Sequence, residues 1–430
     1  MSYWDEKFET MGAEEMRTFQ GEKLAETVAW VYAHVPFYKK ALDEKGLAPD
    51  DIRSIDDIVK LPFTVKNDLR DNYPFGLCAV PMNELVRVHA SSGTTGKPIT
   101  GPYTPEDRDQ WAECMARTLW AQGLRPDDVA QNAYGMGLFT GGLGFYMGAE
   151  KIGCCLVPAG SGMTERQIML MQDFGSTALF CTPTYALTIA EKAKQLGVDL
   201  RQLPVRMGSF GAEPWTVQMR EEIEQRMGIR AHEAYGLTEM MGPGVGFSCE
   251  EYKLHLNEDH TYPEIVDPAT LEPLPLGEKG ELVFTALRRR AMPLLRYRTR
   301  DITSLRRVEC ACGRTLVVMD KILGRSDDML IISGVNVFPS QIEALLMDIE
   351  EMEPHYRIRV TKRGHLDAMK VEAEAKPEIY TQGPQAVAEL GQRLAEHIKE
   401  IIGVSAPVEV VPSGSIARSE GKAKRVFDER

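Results

Sequence analysis

Eight residues in a row, Ser91-Ser92-Gly93-Thr94-Thr95-Gly96-Lys97-Pro98, are suited to chemistry and to little else. Four hydroxyls and two glycines cannot pack a core. They can wrap a phosphate: glycine lets the backbone come close, N–H and O–H groups donate to the oxygens, and Lys97 adds a positive charge. A Walker loop is excluded. That motif needs Gly five residues before Gly96 and Ser or Thr after the lysine, where Ser91 and Pro98 stand. A polar turn without a ligand is the alternative, so the rest of the chain has to decide.

A second set of reactive residues is Cys249, His255, Cys310 and Cys312. A Cys-x-Cys pair alone is not the usual zinc knuckle, but Cys249 and His255 supply the two missing ligands, and both pairs sit in turn-rich sequence. Four protein ligands leave no open position, so a zinc ion here would be structural. Three free thiols and a surface histidine are the other reading.

These residues belong to a chain of 430, long enough for two or three domains with real cores. It is 43% hydrophobic and 26% charged, as globular proteins are. A net charge of -13 argues against broad binding to nucleic acid or anionic membranes, while leaving room for a local phosphate pocket. No apolar run reaches membrane-span length, and the start, Met1-Ser2-Tyr3-Trp4-Asp5-Glu6, lacks the pattern of a signal peptide. Eight cysteines in this length do not make a disulfide scaffold, so a cytoplasmic, reducing compartment is expected.

The elements that must hold the reactive residues follow from local signals. Glu14 to Lys45 reads as helix broken at Pro36, and Asp56 to Leu61 as a short helix. Thr64 reads as an N-cap, with Pro74 and Gly76 as a stop. Leu85–Ala90 reads as a strand leading into the Ser/Thr/Gly run. Thr104 with Pro105 opens a helix running towards Trp120. From Val129 to Glu239 apolar runs alternate with helices, which implies a parallel sheet with crossovers; examples are Cys154–Pro158, the helix Glu165–Phe174 and Ala178–Cys181. Tyr262 to Leu305 turns to short strands such as Gly280–Thr285, a smaller β subdomain. Beyond Gly324-Arg325-Ser326-Asp327-Asp328 come a strand (Met329–Ile332), a turn, a helix from Pro339, strands at Tyr356–Thr361 and Ala368–Ala375, and a helix from Pro384 to Ile402. The expected class is α/β: a large N-terminal domain over residues 1–323, a hinge at 324–328 and a small α+β cap over 329–430.

Taken together, the Ser/Thr/Gly loop, the boundary at Gly324 and the tail Ala417-Arg418-Ser419-Glu420-Gly421-Lys422 resemble the adenylate-forming superfamily of acyl-CoA synthetases, adenylation domains and luciferases. Within it the likeness is to phenylacetate–coenzyme A ligases. Family-like stretches run from near residue 61 to the end, and five motifs in the family's order carry the resemblance.

The resemblance implies a role for each motif. Ser91–Pro98 would hold the β- and γ-phosphates of ATP. Tyr134-Gly135-Met136-Gly137-Leu138-Phe139-Thr140-Gly141-Gly142 looks like the acyl pocket, where rings suit an apolar acid and glycines leave it room; Ala212 and Gly236 would join that pocket. Gly211-Ala212-Glu213-Pro214 would flank adenine. In Ala234-Tyr235-Gly236-Leu237-Thr238-Glu239 the tyrosine would stack on the base, Thr238 meet the α-phosphate and Glu239 bind Mg2+, which prefers carboxylate and phosphate oxygens. In Arg296-Tyr297-Arg298-Thr299-Arg300-Asp301, Asp301 would take the ribose hydroxyls; salt bridges across a strand pair are the plainer reading of the arginines. Arg325 would contact the nucleotide, Asp327 absorb domain rotation, and Ser333 and Gly334 line the pantetheine path. Lys422 would be the catalytic lysine, with Lys424 two residues away as the rival in register. The implied activity is ATP-dependent formation of a CoA thioester from an aryl or arylacetic acid, in a cytoplasmic homodimer. An adenylyltransferase that makes no thioester, and a ligand sensor without activity, are the other classes.

Overall fold

The computed structural model describes residues 2–91, 98–326, 330–332, 335–363, 366–418 and 424–429. The chain divides into two compact units, one of Met1–Cys181, Arg201–Ala212 and Ile229–Lys321, the other of Thr182–Leu200, Glu213–Gly228 and Ile322–Arg430.

In the first unit, helices at Ala13–His34 and Pro36–Glu44 replace the single long helical pattern, broken at Pro36 because proline brings no N–H to continue the ladder. Thr64 is not the cap expected of it. The helix Lys66–Asp71 starts later, and the Asp68 carboxylate satisfies its first turn by accepting from the Val65 N–H at 2.7 Å. Thr64 is wholly buried, donates through Oγ1 to the Leu295 carbonyl at 2.7 Å and meets the Tyr38 hydroxyl at 2.8 Å. A distant carbonyl that would otherwise be orphaned outbids the local cap. Thr104 does cap its helix: it accepts from the Asp107 N–H at 3.1 Å while the Asp107 carboxylate accepts from the Thr104 N–H at 2.9 Å.

A hairpin of β1 (Arg87–Ala90) and β2 (Thr100–Tyr103) flanks the Ser/Thr/Gly run. The main sheet contains β3 (Val129–Asn132), β4 (Cys155–Val157), β5 (Ala178–Cys181), β6 (Met207–Gly211), β7 (Arg230–Leu237), β8 (Gly242–Ser248) and β9 (Leu254–Leu256). Strands β10 (Thr261–Val266), β11 (Gly280–Ala286) and β12 (Tyr297–Thr303) form a separate antiparallel run, the β subdomain expected from the sequence. The main sheet is finished by β13 (Leu305–Arg306) and β14 (Val318–Met319), in the order β13-β14-β9-β8-β7-β6-β5-β3-β4. The five strands from β4 to β7 are parallel, as the alternating pattern requires. Beyond β7 the sheet turns antiparallel, because β7 and β8 are joined by a tight turn at Thr238–Met241 and not by a helix.

In the second unit the long strands Met352–Arg363 and Leu366–Ala375 pair antiparallel, with Val426–Asp428 and Val408–Pro412 added in parallel at the two edges. Ile342, Leu346, Ile358, Val371, Leu394 and Ile398 are among the side chains of its core. The helix Pro339–Met347 begins, and the helix Pro384–Ile402 begins and ends, where the sequence signals put them. Polar contacts tie Thr182–Leu200 and Glu213–Gly228 into the same unit. Glu191 accepts from Arg418 at 3.1 Å and faces His355 Nε2 at 2.8 Å, and Arg226 donates to Glu353 at 3.1 Å.

Candidate active site

Strand ends place the functional side chains. β6 ends at Gly211, where a Cβ would stand 2.3 Å from the Ala234 carbonyl oxygen of β7, so only glycine allows the two backbones this approach. Ala212 follows with φ +72°, a left-handed conformation that costs a non-glycine residue about 1–2 kcal/mol. On β7, Gly236 has the same constraint: a Cβ would lie 2.0 Å from the Gly242 oxygen. The backbone is therefore turned and bared at Gly211, Ala212 and Gly236, the residues assigned to the base and the acyl group.

Next to these, β7 and β12 present a paired set. The Tyr235 hydroxyl donates to Asp301 Oδ2 at 2.6 Å, and the Tyr297 hydroxyl donates to Glu239 Oε1 at 3.1 Å. Thr238 lies 3.3 Å, oxygen to oxygen, from Thr140 at the start of the helix Thr140–Ile152. Thr238, Glu239 and Asp301 are all buried. The arginines of the β12 motif are structural. Arg296 pairs with Glu264 at 2.9 Å, while Arg298 and Arg300 pair with Glu281 at 2.8 and 3.5 Å. The ribose-like motif points to Asp301 and gives no signal for Tyr297, which sits inside it and binds Glu239 only because the turn packs against β12.

On the acyl side, the Tyr134 ring stacks on Phe145 at 4.8 Å and 14°, and Phe145 on Phe180 at 5.1 Å. The room that Gly141 leaves is filled by the Phe139 ring, 2.3 Å from where a Cβ would stand. Met136, Leu138 and Phe139 are exposed, an apolar lip on this segment. The Leu138 carbonyl faces the Ala90 N–H at 2.8 Å and His89 Nδ1 at 3.0 Å, so the segment is fastened to the strand that leads to Ser91. Ser91 in turn exchanges bonds with Ile99, through its N–H at 2.9 Å and its Oγ at 3.0 Å, and closes the base of the loop.

In the second unit, the Glu213 carboxylate accepts from the Thr184 N–H at 2.8 Å, and Arg325 lies in the short strand Gly324–Arg325. Ser92, Gly93, Thr94, Thr95, Gly96, Lys97, Asp327, Ser333, Gly334 and Lys422 lie outside the described residues.

The cysteine and histidine set converges. The ligand atoms of Cys249, His255, Cys310 and Cys312 all lie within 4.8 Å of one another. Cys249 and Cys310 sulfurs are 3.7 Å apart, and Cys312 Sγ is 3.4 Å from His255 Nε2. Tetrahedral zinc with its usual bond lengths would set ligands about 3.5–3.8 Å apart. His255 Nδ1 faces the Leu316 carbonyl at 3.1 Å, which fixes the ring and leaves Nε2 towards the thiols. The Cys312 thiol is held far below its ordinary value, first by a hydrogen bond with Cys249 and then by His255. Cys249 is pushed up by the same bond and by burial.

Known proteins resemble this chain over nearly its whole length. Residues 15–286 match the model of the AMP-binding enzyme family, and residues 334–430 match that of the AMP-binding enzyme C-terminal domain. A phenylacetate–coenzyme A ligase of Thermus thermophilus is 48% identical over 99% of this chain and 99% of its own length. One from Escherichia coli is 48% identical over 98% of this chain and 97% of its own. Among solved structures, 2-hydroxyisobutyryl-CoA ligase in the postadenylation state superposes with a TM-score of 0.94 at 29% identity, covering 100% of this chain and 92% of that one.

Proposed function

The chain belongs to the AMP-binding enzyme family, and on that premise we propose that it joins phenylacetate to coenzyme A with ATP. The observation that carries the reading is the 48% identity, over nearly the whole chain, to two phenylacetate–coenzyme A ligases. An AMP-forming acid–CoA ligase needs two steps. The carboxylate oxygen attacks the α-phosphorus of ATP, pyrophosphate leaves, and an acyl-adenylate forms. The CoA thiol then attacks the acyl carbon, loses its proton, and AMP leaves.

Each part of the site has a task in that sequence. The Tyr235 ring would cover adenine, beside the bared backbone at Gly211 and Ala212. Asp301 would accept the ribose hydroxyls, exchanging the Tyr235 hydroxyl that it holds now. Thr238 would meet the α-phosphate. The Ser91–Pro98 run would hold the phosphates that leave, and Lys422 would offset charge between carboxylate and α-phosphate. Glu239 has the hard oxygen donor that suits Mg2+, and its bond to Tyr297 leaves further lone pairs. Bound there, Mg2+ would neutralise phosphate charge. Tyr134 and Phe139 would line the place of the aromatic ring. Residues 1–323 would form the adenylation domain and 329–430 the cap, turning about Asp327 to bring Ser333 and Gly334 to the pantetheine. Cys249, His255, Cys310 and Cys312 would hold one structural zinc, whose four-ligand closure leaves no place for substrate. A homodimer in the cytoplasm completes the proposal; no helix among the described residues is long and apolar enough to cross a membrane.

The test is pyrophosphate release over a panel of aryl acids, with and without CoA. Phenylacetate should give the highest kcat/KM, with sustained turnover only when CoA is present. Equal turnover without CoA would point to nucleotidyl transfer, and no release with any acid would refute the reading.

A further inference from the structure

The turn at Thr238–Met241 is buried from end to end, so its carbonyls need partners within the protein. Two side chains satisfy them. The Arg289 guanidinium donates through Nη1 to the Glu239 carbonyl at 2.8 Å and to the Met240 carbonyl, and reaches the Thr238 carbonyl at 3.5 Å. The Tyr103 hydroxyl donates to the Met241 carbonyl at 2.7 Å. Three successive carbonyls are thus held from outside the turn, and that of Thr238 lies at the edge of reach.

Both side chains also belong to the phosphate-loop hairpin or touch it. Tyr103 ends β2, and Arg289 Nη2 donates to the Pro102 carbonyl of the same strand at 3.2 Å. The Arg289 guanidinium lies over the Tyr103 ring at 4.9 Å. At Gly101 a Cβ would stand 3.2 Å from both Thr238 Cγ2 and the Thr238 oxygen, so β2 lies against the turn. Arg289 is buried, and among the described residues its Nε has no acceptor. It borders a small cavity with Asp107, Trp111, His260 and Arg288.

We propose that Arg289 is a positioning residue for adenylation: it fixes the strand leaving the phosphate loop to the turn that carries Thr238 and Glu239. The inference rests on the nucleotide-site reading given above. The planar fork is what the task needs, since one group must reach carbonyls from both elements at once. An ammonium is a single point and cannot span them. Arg289 need not touch substrate to act in this way. It sets the spacing between β2 and the carboxylate proposed for Mg2+.

The experiment uses the full-length enzyme and pyrophosphate–ATP exchange, titrated with Mg2+ and with ATP. Arg289→Lys should lower kcat/KM for ATP about tenfold to a hundredfold, as a misplacement of catalytic groups by about 1 Å does. It should raise the Mg2+ concentration for half-maximal rate and leave the KM for phenylacetate near wild type. Arg289→Ala should lose more, and millimolar guanidinium should restore part of the rate where ammonium does not. Tyr103→Phe, which gives up one carbonyl and keeps the ring, should shift the Mg2+ response in the same direction by less. If Arg289→Ala does not fold, Arg289→Lys and Tyr103→Phe carry the test. Wild-type Mg2+ and ATP responses in both would overturn the proposal, as would a fall in melting temperature with neither a Mg2+ shift nor rescue. Glu239→Gln is the separate control: an unchanged Mg2+ response there would refute the reading of Glu239 and not the role of Arg289.

Discussion

Two largely buried polar clusters of the first unit differ in what their polar atoms face. At the candidate nucleotide site each carboxylate meets a neutral hydroxyl, Asp301 that of Tyr235 at 2.6 Å and Glu239 that of Tyr297 at 3.1 Å. In the other cluster, three sulfurs and a ring nitrogen face one another within 4.8 Å. A ribose hydroxyl or a hydrated cation can take the place of a hydroxyl bonded to a carboxylate at little net change. Thiols and an imidazole turned inward make a closed set, the arrangement the proposed structural zinc needs. Burial alone therefore does not tell a binding site from a structural one. The faces of the donors do.

The sharpest way to test that contrast is to disable each cluster's function separately. Lys422→Ala should lower pyrophosphate–ATP exchange by a factor on the order of hundreds or more, the scale of losing a main electrostatic donor. Thioester formation from supplied phenylacetyl-adenylate should fall much less, and the melting temperature should not move. Equal loss in both half-reactions would remove Lys422 from its role, and a defect in Lys424→Ala alone would move the role two residues on.

Cys312→Ser should behave in the opposite way. The wild-type enzyme should carry about one zinc per chain by elemental analysis, and the variant none. Its melting temperature should drop by several degrees while exchange at moderate temperature stays within about twofold, since a closed structural site touches neither substrate. Protein without metal, and of unchanged stability in the variant, would make the thiols bystanders and dissolve the contrast.

The smallest effect is expected from Tyr297→Phe. Loss of one hydrogen bond to a charged acceptor is worth about 1.5–3 kcal/mol when nothing replaces it. With Mg2+ bound, part of that is recovered, so the half-maximal Mg2+ concentration should change by less than about tenfold. A change as large as that of Glu239→Gln would mean that the hydroxyl is a fixed part of the metal site and not an exchangeable partner.

Much of this was legible in the residues. The motifs around Ser91, Tyr235 and Asp301 are local: the proposed contacts to phosphate, base and ribose call for particular atoms close along the chain. The helix from Pro384 to Ile402 and the Thr104 cap are also local, set by proline at the first turn and by hydrogen bonds over three residues. Thr64 shows where that kind of inference stops. Its sequence context is that of a cap, yet its oxygen is claimed by Leu295, 231 residues away.

Arg288-Arg289-Arg290 sharpens the point. In sequence the three are equivalent, a short basic run. In the structure Arg288 reaches Asp259 at 3.5 Å, Arg290 covers the Trp30 ring at 3.0 Å, and Arg289 alone is spent on the carbonyls of the Thr238 turn. In an irregular segment between strands, successive side chains leave in different directions, and no periodicity records which one meets a buried turn. The cysteines obey the same rule. Their types and spacings made a zinc set conceivable. Only the pairing of Val318 with His255 and Met319 with Leu254 brings the stretch that follows Cys312 alongside the one that follows Cys249. The chain thus fixes chemistry that lies within a few residues. Which distant groups share a buried site is decided by packing, because a buried polar atom takes whatever partner the sheet brings within reach.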